Sequence, residues 1–203
     1  MLQKIEEDEN FLQRVIFSDE ATFHASGIVN RHNIRIWGLE NPYAVLEQVR
    51  DRPKVKMWCG LLYDRIIGPF FFSEVTVRSD NYLDMLEIFA LPQIEDLQPN
   101  IIFQRDGAPP HWSLKVRKVL NEKFPRRWIR RGGPIPWPPR SPDITPLDFF
   151  VWIYMKNIVH QSPIRDTEEI KIRITAAIRT VDSEMLHITW LEISYKLQCV
   201  ARD

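Results

Sequence analysis

Three aspartates stand where aspartate is uncommon. Asp19 interrupts Phe17-Ser18-Asp19-Glu20-Ala21-Thr22-Phe23, where Phe17, Ala21 and Phe23 otherwise make one apolar strand face by period-2 alternation. Strands are depleted in Asp, and an unpaired carboxylate on a buried face is costly. Asp106 ends the run Ile101–Arg105, in Gln104-Arg105-Asp106-Gly107-Ala108-Pro109-Pro110-His111. In open α/β sheets, ligand sites tend to lie beyond the carboxyl ends of strands. Asp148 falls in the first turn of an expected helix, in Ser141-Pro142-Asp143-Ile144-Thr145-Pro146-Leu147-Asp148, where a helix N-terminus favours an ionised carboxylate. Hard divalent cations such as Mg²⁺ take oxygen ligands, usually a few carboxylates with waters and substrate phosphates. Three carboxylates converging from two strands and a helix would hold two such ions ~3.5–4 Å apart. That arrangement activates water or a 3′-hydroxyl and stabilises the leaving oxygen in phosphodiester chemistry.

Each aspartate also has an explanation without chemistry. Asp19 fits an edge strand facing solvent, or a pair with an arginine. Asp106-Gly107 is a common turn pair. Thr145-Pro146-Leu147-Asp148 has the form of a helix cap, with proline at the first helical position. His111 suits either a structural role or the positioning of a water or phosphate near Asp106.

The elements that must position these residues are legible in outline. A short helix over residues 2–13 precedes a strand at Arg14–Phe23. Residues 24–53 are irregular, with a short strand possible at Asn33–Trp37. Lys54–Tyr63 and Arg65–Phe72 read as paired strands turning at Tyr63-Asp64-Arg65. A helix capped by Ser79 or Asp80 runs to about Ala90, with Tyr82, Leu83, Leu86 and Phe89 inward. A strand at Ile101–Arg105, a helix at Ser113–Asn121 and a short strand at Trp128-Ile129 come next. Six prolines crowd into Pro134–Pro146, excluding a helix or a central strand and leaving a stiff extended loop at about 132–144. Thr145 opens a helix to about Val159. Another helix spans Thr167–Leu186, with Ile170, Ile174, Ile178, Val181 and Met185 at helical spacing. The order predicts one α/β domain over 1–203, with a mixed central sheet of about five strands flanked by helices.

Composition limits the alternatives. The chain has 203 residues, 27 basic against 27 acidic side chains, and is 44% apolar, which is ordinary globular material. No apolar run approaches the ~20 residues of a membrane helix, so no membrane partner is expected. The acidic start resembles no targeting peptide. Cys59 and Cys199 have no metal-ligand spacing around them. The zero net charge argues against nucleic acid only until it is divided along the chain. Residues 115–140 hold nine basic side chains against Glu122 alone, a local +8 offset by −8 elsewhere. Such a segment is either a phosphate-facing patch or a solvated basic face. Lys115, Lys118, Arg126, Arg127, Arg130, Arg131 and Arg140 are its candidate DNA contacts. Trp112, Trp128 and Trp137 suit either base stacking or the core.

The three aspartate blocks, in this order and spacing, resemble the catalytic blocks of mariner-type transposases, and Trp128–Gly133 and Trp137-Pro138-Pro139-Arg140 extend the likeness over nearly the whole chain. The resemblance implies a ribonuclease H-like fold and metal-dependent DNA strand cleavage and strand transfer. It implies Asp19, Asp106 and Asp148 as ligands of two Mg²⁺ or Mn²⁺ ions, with no small-molecule cofactor. Asp143 is not the third acid, and Glu20 points to the opposite strand face. The implied partner is DNA, both transposon ends and target, in the nucleus. The span 24–53 resembles an insertion that contacts the partner subunit in the family's paired-end complexes, which makes a homodimer possible. Full-length members carry two N-terminal helix-turn-helix modules, and nothing before Asp19 is long enough for one, so specific recognition of transposon ends is not expected. Arg130 and Ile153 stand where close relatives often have glycine, as in a decaying or repurposed copy. The rival reading is therefore a transposase-derived domain that binds DNA or protein without catalysis.

Overall fold

The computed structural model describes residues 1–25, 53–74, 76–105, 108, 111, 113–130, 133–137 and 145–200. Most of the expected insertion at 24–53, including the strand at Asn33–Trp37, lies outside them. So do Trp112, Asp106, Arg131, Arg140 and Asp143.

A short helix, α1 (Leu2–Glu7), leads into β1 (Val15–His24), and the hairpin β2 (Lys54–Leu61) and β3 (Ile66–Phe72) comes after it. The chain then forms α2 (Ser79–Asp84), a π-helical turn Met85–Ala90 and α3 (Leu91–Gln93). Next come β4 (Ile102–Arg105), α4 (Leu114–Lys123), β5 (Trp128–Arg130) and β6 (Ile135–Pro136). A second π-helical turn, Leu147–Val151, opens into α5 (Trp152–Val159), and α6 (Thr167–Arg179) and α7 (Ser183–Val200) complete the order.

The strands form one mixed sheet in the order β3-β2-β1-β4-β5-β6. The β1–β2 and β2–β3 pairs are antiparallel, whereas β4, β5 and β6 join parallel to β1 and to one another. This is an α/β fold of the ribonuclease H-like kind, as expected. The sheet has six strands rather than about five. The additional strand is Ile135–Pro136, inside the proline-rich stretch. Proline lacks the N–H a central strand must donate but is tolerated at an edge, and Pro136 pairs only with Arg130 of β5.

Pleating divides β1 between two cores. Val15, Phe17, Ala21 and Phe23 join the core formed with Val151, Trp152, Met155, Ile170, Ile174, Trp190 and Ile193. Ile16 faces the other core, with Trp58, Tyr82, Leu86, Val116, Leu120, Phe124 and Trp128. The helix carrying Asp148 and the basic helix α4 therefore pack on opposite faces of the sheet.

Two helix expectations change. The expected helix Thr167–Leu186 is two helices. The Thr180 hydroxyl donates to the Ala177 carbonyl at 2.7 Å, and the Asp182 carboxylate accepts from the Met185 N–H at 2.9 Å. These local bonds end one helix and cap the next. Ser79 and Asp80 lie inside α2; the preceding Arg78 N–H donates to the Asn81 side chain at 3.3 Å. The two residues standing where relatives often have glycine are not in the left-handed region. Ile153 is an exposed helical residue, and Arg130 lies in β5 with its guanidinium 5.1 Å from the Trp128 ring centre.

Arg126 is different, because its φ of 59° lies in the left-handed region. A Cβ there costs about 1–2 kcal/mol, partly offset by the chain entropy that glycine adds to the unfolded state. Arg126→Gly is expected to raise the unfolding free energy by up to about 1 kcal/mol in urea titrations. A fall would mean that the Arg126 side chain makes stabilising contacts that outweigh its backbone strain.

Candidate functional site

Asp19 lies midway along β1, half-buried on the face shared by Phe17 and Ala21. Its cross-strand partner is Cys59, whose thiol is fully buried. Burial pushes the Cys59 thiol far up and the negative charge of Asp19 adds to the shift, so Cys59 is an inert neighbour. Across the core, the Trp152 indole N–H donates to Asp19 Oδ2 at 2.8 Å. This bond docks the start of α5 onto the middle of β1.

Asp148 lies one turn before Trp152, half-buried in the π-helical turn Leu147–Val151. The Asp148 and Phe149 N–H groups donate to the Thr145 carbonyl at 3.0 and 3.2 Å, so Thr145 does open the turn. π-Helical turns widen a helix locally and recur at functional sites.

The helix and the strand run in the same direction. Trp152 meets Asp19, and the His160 ring, just past α5, stacks on Phe23 with centroids 6.3 Å apart. Four strand residues advance roughly 13 Å and eight helical residues roughly 12 Å, so the two elements stay in step. Lys156 lies midway between Trp152 and His160 in sequence, on α5. The Lys156 ammonium is half-buried. Burial lowers its pKa, while the charges of Asp148 and Asp19 oppose that shift. One lysine thus lies within electrostatic reach of both carboxylates.

Asp106 lies outside the described residues. Its neighbour Arg105 ends β4 and pairs with Ser18, the residue before Asp19, in the parallel register. The Ser18 hydroxyl reinforces that register by donating to the Gln104 carbonyl at 2.8 Å. Among the described residues, no three His, Cys, Asp or Glu side chains form a metal-binding group. The two described acids nevertheless fit a hard cation. Both are half-buried oxygen donors on one face of the sheet, and both act on the same ammonium.

His111, five residues after Asp106, is buried on the other face. Its Nε2 lies 3.3 Å from Glu20 Oε1, and its ring packs against Tyr82 with centroids 4.0 Å apart. These contacts suit the structural one of its two expected roles. Glu20, expected to point away from the acids, does so and engages His111.

The basic segment is tied into the fold at several points. Lys115 Nζ pairs with Asp80 at 2.8 Å, and Lys118 lies 3.9 Å from Glu122. Arg127 donates to the Ile101 carbonyl at 2.6 Å and to Gln98 Oε1 at 3.0 Å. Arg130 lies over Trp128, and burial lowers its pKa. Trp128 and Trp137 belong to the core. A cleft of about 630 Å³ near α1 and α7, lined by Ile5, Leu12, Tyr63 and Trp190, contains neither acid.

Sequence reasoning singled out Asp19 and Asp148 as candidates but not Trp152, which donates to Asp19, or Lys156, which feels both charges. Their only signal was spacing, since positions 148, 152 and 156 recur on one helical face.

Comparison with solved structures places this fold beside one group. The chain superposes on the Mos1 transposase paired-end complex with left transposon end at a TM-score of 0.74 and 21% identity, covering 99% of this chain and 58% of that one. On the catalytic domain of Mos1 mariner transposase the TM-score is 0.72 at 20% identity, covering 99% and 87%. The Mos1 catalytic domain with Raltegravir and Mn gives 0.70 at 19%, covering 99% and 88%. The chain therefore has the fold of a transposase catalytic domain and spans 58% of the length of the Mos1 chain in the paired-end complex. No family model and no curated protein matches the sequence.

If the Trp152–Asp19 bond holds α5 in place, Trp152→Phe keeps the aromatic packing and removes one donor to a charged acceptor. The expected loss is about 1–3 kcal/mol of unfolding free energy in metal-free buffer. A urea midpoint unchanged from the parent would show that the bond carries no net stability.

Proposed function

We propose that this chain is a mariner-type transposase catalytic domain that cleaves and joins DNA strands, with Asp19, Asp106 and Asp148 binding two Mg²⁺ or Mn²⁺ ions. The observation carrying this reading is the double anchoring of Asp19. The Trp152 indole brings the helix of Asp148 to it from one side. On the other side the parallel Ser18–Arg105 register ends β4 beside it, one residue before Asp106 in the sequence. Asp19 and Asp148 thereby come to one face of the sheet, and Asp106 follows the strand paired beside Asp19, in a fold also found in transposase structures containing Mn and Mg.

In this reading the ions, when bound, activate the attacking oxygen and stabilise the leaving one. The chain's own residues supply the oxygen ligands and keep them oriented. The Trp152 N–H occupies one lone pair of Asp19 Oδ2 and limits rotation of the carboxylate. The Glu20–His111 contact holds His111, five residues after Asp106 in sequence, on the opposite face. The partner in this reading is DNA. The two structures of Mos1 with transposon DNA or in a strand-transfer complex support that class of partner.

The test is a nicking assay on supercoiled plasmid with Mn²⁺. Asp19→Asn, Asp106→Asn and Asp148→Asn are each expected to reduce nicking to the no-protein background while leaving the circular-dichroism spectrum unchanged. Nicking that persists in Asp106→Asn would sink the assignment. A parent protein that binds DNA but neither binds Mn²⁺ nor nicks would favour the non-catalytic reading.

A further inference from the structure

We propose that the cleft between α1 and α7 is a docking groove for a cationic amphipathic helix of a partner protein. Neither Asp19 nor Asp148 lines the groove, so its use is independent of the nucleic-acid reading above.

The helix α7 is apolar on more sides than its packing covers. Leu186, Trp190, Ile193 and Leu197 face the core. Ile188, Leu191 and Tyr195, spaced three and four residues apart, form a second stripe that is 55%, 58% and 68% exposed. Over its 18 residues the helix has Glu184, Glu192 and Lys196 as its only acidic, lysine or arginine side chains, and Glu192 and Lys196 pair with each other at 2.8 Å. A surface helix normally turns a charged face to water. The helix α6 does so, with Glu168, Glu169, Lys171, Arg173 and Arg179 in 13 residues. Contiguous exposed apolar surface marks an interaction site.

The stripe runs into the cleft of about 630 Å³, because Leu191 belongs to both. Leu12, Trp190 and Leu197 line the cleft while remaining almost buried, as a floor does. The Trp190 indole N–H donates to the Leu12 carbonyl at 3.2 Å, so the floor is tied down before a ligand arrives. Charge selects the occupant. Glu6, Glu9 and Asp64 line the cleft, and among the described residues no lysine or arginine does. Asp64 shares its charge with Arg65 at 2.7 Å, which makes Glu6 and Glu9, both exposed, the principal charges. An acidic rim repels DNA and anionic lipid surfaces. A second copy docking by two-fold symmetry would set one acidic rim against another. A helix with apolar side chains at i, i+3 and i+7 and lysines or arginines beside them matches both floor and rim. From Ile188 to Tyr195 the stripe is about 10 Å long, two helical turns, which fits an elongated ligand better than a compact one.

The test is fluorescence anisotropy with a fluorescein-labelled peptide about 18 residues long, a length that sustains a helix. The peptide has leucines on one face and lysines elsewhere. The parent protein is expected to bind it saturably. Two controls should bind roughly tenfold more weakly: the same composition scrambled to remove the apolar face, and glutamates in place of the lysines. Leu191→Ser and Tyr195→Ser are each expected to weaken binding about tenfold, as loss of an interface anchor does. Both positions are exposed, so the fold tolerates the change. Glu6→Gln combined with Glu9→Gln should weaken binding several-fold at low salt and reduce its salt dependence. Ile172→Ser, at an exposed position on α6, should leave binding unchanged. No saturable binding by the parent, equal binding of the scrambled peptide, or unchanged binding in both serine variants would overturn the proposal. Dimerisation of the parent in sedimentation runs, lost in Leu191→Ser, would assign the stripe to a second copy and overturn it too. So would flotation with phosphatidylcholine–phosphatidylserine vesicles that is lost in the same variant, which would assign the stripe to a membrane.

Discussion

The hydrogen bond from Trp152 to Asp19 spans 133 residues of sequence, and the geometry of the site depends on it. Asp19 sits in a strand face otherwise built of Val15, Phe17, Ala21 and Phe23, where a bare carboxylate would be expensive. A single indole donor reduces that cost and at the same time locates the start of α5. Once Trp152 is docked, the equal advance of helix and strand fixes the neighbours on either side of it. Asp148 lies one turn earlier, Lys156 one turn later, and His160 reaches Phe23. A polar exception inside an apolar face thus becomes the reference point for a whole helix.

The second constraint is the pleat of β1. Because alternate residues face opposite cores, Asp19 and Glu20 cannot serve one site, although they are adjacent. Asp19 faces the helix of Asp148, while Glu20 reaches through the other face to His111. This division gives the two carboxylates different work. One is a candidate ligand, and the other meets His111, whose ring packs against Tyr82. A buried, paired network of this kind is rigid when satisfied.

Local patterns told most about the strands and least about what joins distant elements. The alternation in β1, the hairpin at Tyr63–Arg65 and the position of Asp148 early in a helix were all legible, because each depends on near neighbours. The break between α6 and α7 was hidden, since Ile178, Val181 and Met185 continue an apolar period across it. Only the hydroxyl of Thr180 and the carboxylate of Asp182 reveal that the backbone turns there. β6 was hidden for a related reason: two residues with a proline give no strand period, and parallel pairing to β5 alone makes them a strand. Trp128 and Trp137 had two readings open to them, and packing decides for the core. Trp152 and Lys156 carried no signal beyond helical spacing, because what distinguishes them is a partner more than a hundred residues away.

Charge shows most clearly what one dimension conceals. Summed over the chain it is zero, and divided along the chain it isolates residues 115–140. Folding divides it again, by faces of the sheet. Lys115 and Lys118 face acidic partners, Arg127 braces the turn before β4, and Arg130 lies over Trp128. Lys156, far from that segment in sequence, lies on the face of the carboxylates and feels the charges of both. Electrostatic attraction falls steeply beyond a Debye length of about 8–10 Å, so at Asp19 proximity in the fold counts for more than density of charge along the chain.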